Sequence, residues 1–248
     1  MDLLYNDFRR GLCMKHQNLL TINRDYLNRV FENFQSTSVK KNNQMIACGK
    51  VFTPIHETII ESINYYEFMF ECNRSENNSD VLHVIVKKTP QTGSLQFTEV
   101  GTELTLIGFL RSINWHDETG KRHLNVMMQA IDFEFHTSFK EDGFDNNIVI
   151  LSGHICTEPT FKTTSLNRPI AEFRIAIRDT NNTDIYYIPL VVWGKKAVEV
   201  SEHYKVGDKL TLLGRVQSRI YYKKLSETDG EHRVAYEVST RYMIRHSK

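Results

Sequence analysis

The sequence predicts a mainly β protein: two small closed sheets of five strands each, in tandem, behind a short helical N-terminal segment. Two observations carry this. Ten segments have strand length and strand-like apolar patterning, and they fall into two sets of five, each within about a hundred residues. The second set also repeats residues of the first at a nearly constant offset.

Composition frames the reading. A chain of 248 residues can bury a sizeable core as one large or two small domains, and 40% hydrophobic with 25% charged residues is ordinary globular protein. The formal charge of +1 hides an asymmetry: residues 145–248 carry 16 Lys+Arg against 12 Asp+Glu, so the first 144 residues are net negative. A nucleic-acid partner needs a local basic groove more than a basic total, so this excess is only mild support for one. Cys13, Cys48, Cys72 and Cys156 lie far apart with no C-x-x-C pair, which predicts free thiols in a reducing compartment and no metal site. No apolar run reaches the length of a membrane span, and the first residues lack a signal peptide's apolar centre. The expected location is the cytoplasm.

In residues 1–40, Thr21 can cap a helix whose Tyr26, Leu27, Val30, Phe31 and Phe34 fall on one face. That face should dock on the neighbouring domain or on a partner. The first set of strands is expected at 45–52, 65–72, 81–86, 103–112 and 123–135. The polar stretch 137–145 is the expected linker between domains 41–136 and 146–248. The second set is expected at 147–156, 170–178, 185–193, 209–221 and 232–243.

The repeat is legible residue by residue. Asn42, Asn43 and Gly49 recur as Asn146, Asn147 and Gly153; Glu67-Phe68 recurs as Glu172-Phe173, and Asp80 as Asp184. Val100-Gly101 followed by LTLIG matches Val206-Gly207 followed by LTLLG. The offset stays between 104 and 106, which points to duplication. The copies differ between their third and fourth strands. Gly194-Lys195-Lys196-Ala197 opens a helix carrying Val198 and Tyr204, whereas Pro90 and Gly93 predict a loop or single turn over 87–98.

Chemistry concentrates in 184–221, where aromatic and basic residues interleave as on a surface that stacks unpaired bases and holds their phosphates. Tyr186 and Tyr187 are adjacent in a strand and must face opposite sides, so one alone can join that surface; Tyr65/Tyr66 and Tyr221/Tyr222 pose the same choice. Trp193 ends the apolar run LVVW, leaving a core position open to it. Trp115, in SINWHDETGKR, is expected in an exposed hairpin.

Five strands with a helix between the third and fourth is the pattern of the OB-fold. Residues 146–244 resemble bacterial single-stranded DNA-binding proteins in NNIVILSGHICTEPTFKTT, in IAEFRIAIRD, in YYIPLVVWGKKAVEVSEHYKVGDKLTLLGRVQSRIY and in RVAYEVSTRYM. Residues 42–135 resemble a diverged copy, and the tandem arrangement is similar to proteins of clostridia and related Gram-positive bacteria. The resemblance implies a non-catalytic, sequence-tolerant single-stranded DNA binder, nucleoid-associated, without cofactor or metal. Its stacking positions fall on Tyr187, Trp193 and Tyr221, with Trp115 where the first copy matches Tyr221; a further one falls near Asn181, which cannot stack. Phosphate contacts are expected from Lys162, Arg174, Arg178, Lys195, Arg215, Arg219, Lys223 and Lys224, and in the first copy from Arg74, Lys87, Arg111, Lys121 and Arg122.

The family commonly assembles four barrels, so a homodimer or higher oligomer is expected, with an internal pseudo-dimer as the alternative. The family's enzyme-recruiting members finish in an acidic tail, whereas this chain finishes RYMIRHSK. The expectation is therefore an accessory protein of replication, recombination, repair or transfer. No phosphate loop, G-x-S-x-G or H-E-x-x-H motif supports an enzyme. The competing readings are an assembly module with little affinity for nucleic acid, and RNA binding.

Overall fold

A computed structural model describes residues 42–75, 78–118, 120–135, 146–179, 184–224 and 230–246. The predicted helical segment, the linker at 137–145 and Asn181 lie outside these residues. All described residues belong to one compact unit.

The first half contains β1 (Asn43–Val51), β2 (His56–Ile60), β3 (Ile63–Ser75), β4 (Asn78–Lys87), a 3-10 helix (Pro90–Phe97), β5 (Glu103–His116) and β6 (Arg122–Phe135). The second contains β7 (Asn147–Ile155), β8 (Thr160–Thr163), β9 (Pro169–Arg178), β10 (Ile185–Trp193), α1 (Lys195–His203), β11 (Lys209–Lys224) and β12 (Gly230–Arg245). All ten predicted strands are present. The short hairpin arms β2 and β8 are additions that neither alternation nor length announces.

Alternation explains the interior. Tyr66, Phe68, Phe70 and Cys72 of β3, and Ala171, Phe173, Ile175 and Ile177 of β9, are the inward-facing residues of their strands, and all are buried. Each half closes on itself in the order β1-β3-β4-β6-β5-β1 and β7-β9-β10-β12-β11-β7. The pairs β4–β6 and β10–β12 run parallel and the other pairs of each ring antiparallel, giving two five-stranded OB-fold barrels. Closure brings the first strand hard against the second: a Cβ on Gly49 would lie 2.0 Å from the Glu71 carbonyl oxygen, and one on Gly153 would lie 2.6 Å from that of Ala176.

In the second barrel, α1 buries Ala197 and Val200, and Tyr204 is buried just beyond it. In the first, where the sequence predicts a loop or turn, the 3-10 helix starts at Pro90 and buries Leu95.

The barrels share one sheet through β1 and β7. Met45 stands opposite Val149, Asn43 opposite Leu151 and Ala47 opposite Asn147. Because Met45 and Val149 are counterparts in the repeat, the pairing has local two-fold symmetry, as in an isologous dimer. Strand registers also refine the repeat. Lys50 pairs with Glu71 and His154 with Ala176; Glu71 in turn pairs with Val81, and Ala176 with Tyr187. Val81 is therefore the counterpart of Tyr187, and Asp80 the counterpart of Tyr186. This corrects the expected match of Asp80 to Asp184. Asp80 lies inside β4 and is buried, whereas Asp184 precedes β10 and is exposed.

Candidate nucleic-acid interface

Strand parity builds the candidate surface. On β10, Tyr186, Ile188, Leu190 and Val192 point into the barrel, so Tyr187 and Trp193 point out. Tyr186 is the core member of its pair, stacked on Phe109 at 6.1 Å, and burial raises its phenol's pKa. Tyr187 is partly exposed and stands opposite Ala176 of β9. Arg174 and Arg178, two residues to either side of Ala176, share its outward face and are exposed. Neither makes an ion pair among the described residues. Diagonal neighbours across strands sit roughly 7–8 Å apart, so Arg174 and Arg178 flank the Tyr187 position on the same outward face.

Trp193 closes β10 at 40% exposure, its indole Nε1 donating to Ser239 Oγ at 3.0 Å. The indole is therefore anchored at its polar edge and outside the core.

Two long hairpins add the other rings. Both fourth strands carry a register shift before their shared glycine, between Ile107 and Gly108 and between Leu213 and Gly214. Seven residues beyond those glycines stand Trp115 and Tyr221, 46% and 39% exposed. The Trp115 indole stacks on the His123 imidazole at 4.5 Å, and His123 is held by Asp117 at 2.6 Å. One indole face is thus covered by a fixed neighbour, which orients the ring. Tyr65 and Tyr66 are both buried, so the first barrel has no counterpart of Tyr187 among them.

The predicted cations divide by environment. Arg174, Arg178, Lys195, Lys87 and Lys121 are exposed without an ion pair among the described residues. Lys162 is paired with Glu172, Arg219 loosely with Glu237 at 3.9 Å, and Arg74 with Asp80 at 4.0 Å; Arg122 donates to Asn114. The side chains of Lys223 and Lys224 lie outside the described set. Arg111, only 6% exposed, donates to Tyr65 Oη at 2.9 Å and to Glu61 at the β2–β3 turn. Arg215 is bound to Asp80 of the other barrel and to Gln217. These last two guanidinium groups are held inside protein contacts, because the outward faces of β5 and β11 are covered by other parts of the fold.

The two barrels present opposite charge on the outer face of their second strand. Beside Glu172, β9 offers Arg174, Ala176 and Arg178; the counterparts beside Glu67 in β3 are Met69, Glu71 and Asn73. Glu67 contacts His56 and His83; the hydrogen bond from Ser79, followed by that from Lys50, holds the Glu71 carboxyl below the usual range.

Sequence reasoning passed over Phe161, an exposed ring on β8, because one aromatic in the short run TFKT has no periodicity to reveal it. It also missed the His123–Asp117 support of Trp115, although all three stand within nine residues. No helix of the described residues is long and apolar enough to cross a membrane, and those residues contain no cluster suited to a metal ion.

The architecture and this surface define a tandem OB-fold protein. The Single-strand binding protein family matches residues 146–244. Single-stranded DNA-binding protein 1 of Clostridium acetobutylicum is 34% identical over 100 residues, spanning 37% of this chain and 86% of that protein. Single-stranded DNA-binding protein 3 of the same organism is 30% identical over 97 residues, spanning 37% of this chain and 65% of that protein. The chain therefore belongs to the single-strand binding protein family. It spans slightly less than two thirds of the length of some relatives, such as that second one. The wild-type single-stranded DNA binding protein of Thermus aquaticus has a similar fold at 17% identity, with a TM-score of 0.61 over 83% of this chain and 93% of that one. A deletion mutant of the same protein gives a TM-score of 0.63 at 16% identity, over 84% and 96%.

Proposed function

We propose that this protein binds single-stranded DNA with little sequence preference and without catalysis, serving replication, recombination or transfer. The observation that carries the reading is Tyr187 on the outer face of the second barrel, between exposed Arg174 and Arg178. A ring accepts any base on its face, while the cations take successive phosphates and release their counterions. Trp193 lies six residues further along the same strand face, about 20 Å away at the usual strand rise. Tyr221 and Trp115 extend the surface along the hairpins. The second barrel is the main binding unit in this reading, because the equivalent face of the first is acidic.

The chain holds two barrels paired edge to edge, with β1 already flanked by β5, β3 and β7. A second chain, in a four-barrel assembly, would dock on another surface.

The test is a titration with oligo-dT, a matched duplex and an RNA oligomer, following tryptophan fluorescence at two salt concentrations. Both tryptophans, Trp115 and Trp193, are exposed and should report. Quenching by oligo-dT that weakens with salt and is nearly absent with duplex is expected. Binding to none of the three at low salt would overturn the reading, and preference for the RNA oligomer would move it to RNA.

A further inference from the structure

The junction between the barrels has two sides related by the local two-fold through Met45 and Val149. Some contacts are the same on both. The Tyr187 amide donates to Ser112 Oγ at 2.7 Å, and the Val81 amide donates to Ser218 Oγ at 3.4 Å; each partner is the counterpart of the other. One residue earlier on β4 and β10 the sides part company.

On one side Asp80, 3% exposed, accepts a hydrogen bond from Arg215 of the second barrel. Its counterpart Tyr186 stacks on Phe109 of the first barrel. Phe109 and Arg215 are themselves counterparts, each one residue past the glycine that follows the register shift. The same slot is therefore filled by an ion pair on one side and by two rings on the other. A dimer of identical barrels cannot contain this difference.

We propose that the pairs Asp80–Arg215 and Phe109–Tyr186 key the junction, so that the first barrel selects the second and rejects the same barrel of another copy. Two first barrels would set each Asp80 against Phe109, a buried carboxylate facing a ring. Of the cations now beside it, exposed Arg74 at 4.0 Å would stay, whereas Arg215 and Arg241 belong to the second barrel and would be lost. Two second barrels would set each Arg215 against Tyr186 and forgo its carboxylate. Only the mixed pairing satisfies all four groups. The inference concerns which barrels meet and does not depend on DNA binding.

The test uses the full chain with Gln44→Cys and Ile150→Cys, positions opposite one another in β1–β7 and within disulfide reach. Asp80→Arg is placed in one sample and Arg215→Asp in another. The parent should bridge internally and run as a single chain on a non-reducing denaturing gel. Refolded together under oxidising conditions, the two variants carry matched charges only between chains. A covalent two-chain species several-fold above that of the parent is expected, and both substitutions in one chain should restore the internal bridge. Should either single variant fail to fold alone, the mixture still reports, since the matched barrels are present in it. A chain with Gln44→Cys alone measures the background from the natural thiols. No excess of the two-chain species in the mixture over the parent would overturn the proposal.

Discussion

The Asn43 side-chain amide donates to the Leu110 carbonyl oxygen at 2.7 Å, and its own oxygen accepts from the Leu110 amide at 2.9 Å. β5 pairs with β1 only as far as Gly108, so Leu110 has lost its ladder partner on that side. A buried asparagine takes the place of the missing strand. Asn147 makes the same two bonds to Val216 in the second barrel, at 2.6 and 3.0 Å. The repeated Asn-Asn pair of the sequence thus serves architecture: Asn42 and Asn146 also reach across, to the carbonyls of Arg178 and Asn73.

Asn43→Ala is expected to leave the Leu110 amide and carbonyl buried and unpaired, at a cost of roughly 2–4 kcal/mol. Asn147→Ala should cost about as much. Urea denaturation of the two variants checks this, and a loss well under 1 kcal/mol in both would mean that water replaces the side chain.

Stacking makes a separable prediction. Tyr187→Ala, Trp193→Ala, Trp115→Ala and Tyr221→Ala should each weaken oligo-dT binding by about 1–3 kcal/mol, with stability changed little for the two hairpin residues. Tyr186→Phe removes a hydroxyl buried beside Asp179 at the barrel junction and should leave affinity as it was. Equal losses from Tyr186→Phe and Tyr187→Ala would contradict the assignment of faces.

Charge can be sorted by salt dependence. Each phosphate contact to a single strand contributes about 0.7 to the slope of log affinity against log salt. Arg174→Ala and Arg178→Ala should each reduce that slope by about this amount. Arg111→Ala should leave the slope unchanged and destabilise the protein, because its guanidinium is held by Glu61 and Tyr65. A reduced slope for Arg111→Ala with native stability would place that residue on the DNA path.

These contrasts show what the sequence could and could not carry. The barrels were legible because inward residues alternate and because V-G, LTL and glycine recur in register. Alternation left one of Tyr186 and Tyr187 to face outward, and the family resemblance singled out Tyr187 and Trp193. Arg111 and Arg215 have the same outward parity as any surface cation; what covers them lies 46 to 135 residues away in sequence. Asp80 misled for a related reason, since its sequence match to Asp184 ignores the two-residue drift in offset that only strand pairing reveals. β2 and β8 are too short for alternation to register.

Alkaline pH gives the last prediction. Burial pushes the Tyr236 phenol up to about 12, and burial, followed by nearby Asp179 and Asp184, pushes that of Tyr186 higher still. Tyr236 sits at the barrel junction with its ring 6.5 Å from that of His83. A phenol whose pKa is higher folded than unfolded contributes stability that is fully present below the unfolded value, near 10, and is lost as pH rises through the folded value. Stability should therefore hold to about pH 10 and fall between 10 and 12, by roughly 2–3 kcal/mol at the top of that window for Tyr236 alone. Tyrosinate absorbance and circular dichroism followed together should show these two phenols ionising only with loss of structure. Tyr236→Phe, which removes the proton, should move the alkaline midpoint upward. Ionisation of all the tyrosines near pH 10 with structure intact would show that the junction admits water around these rings.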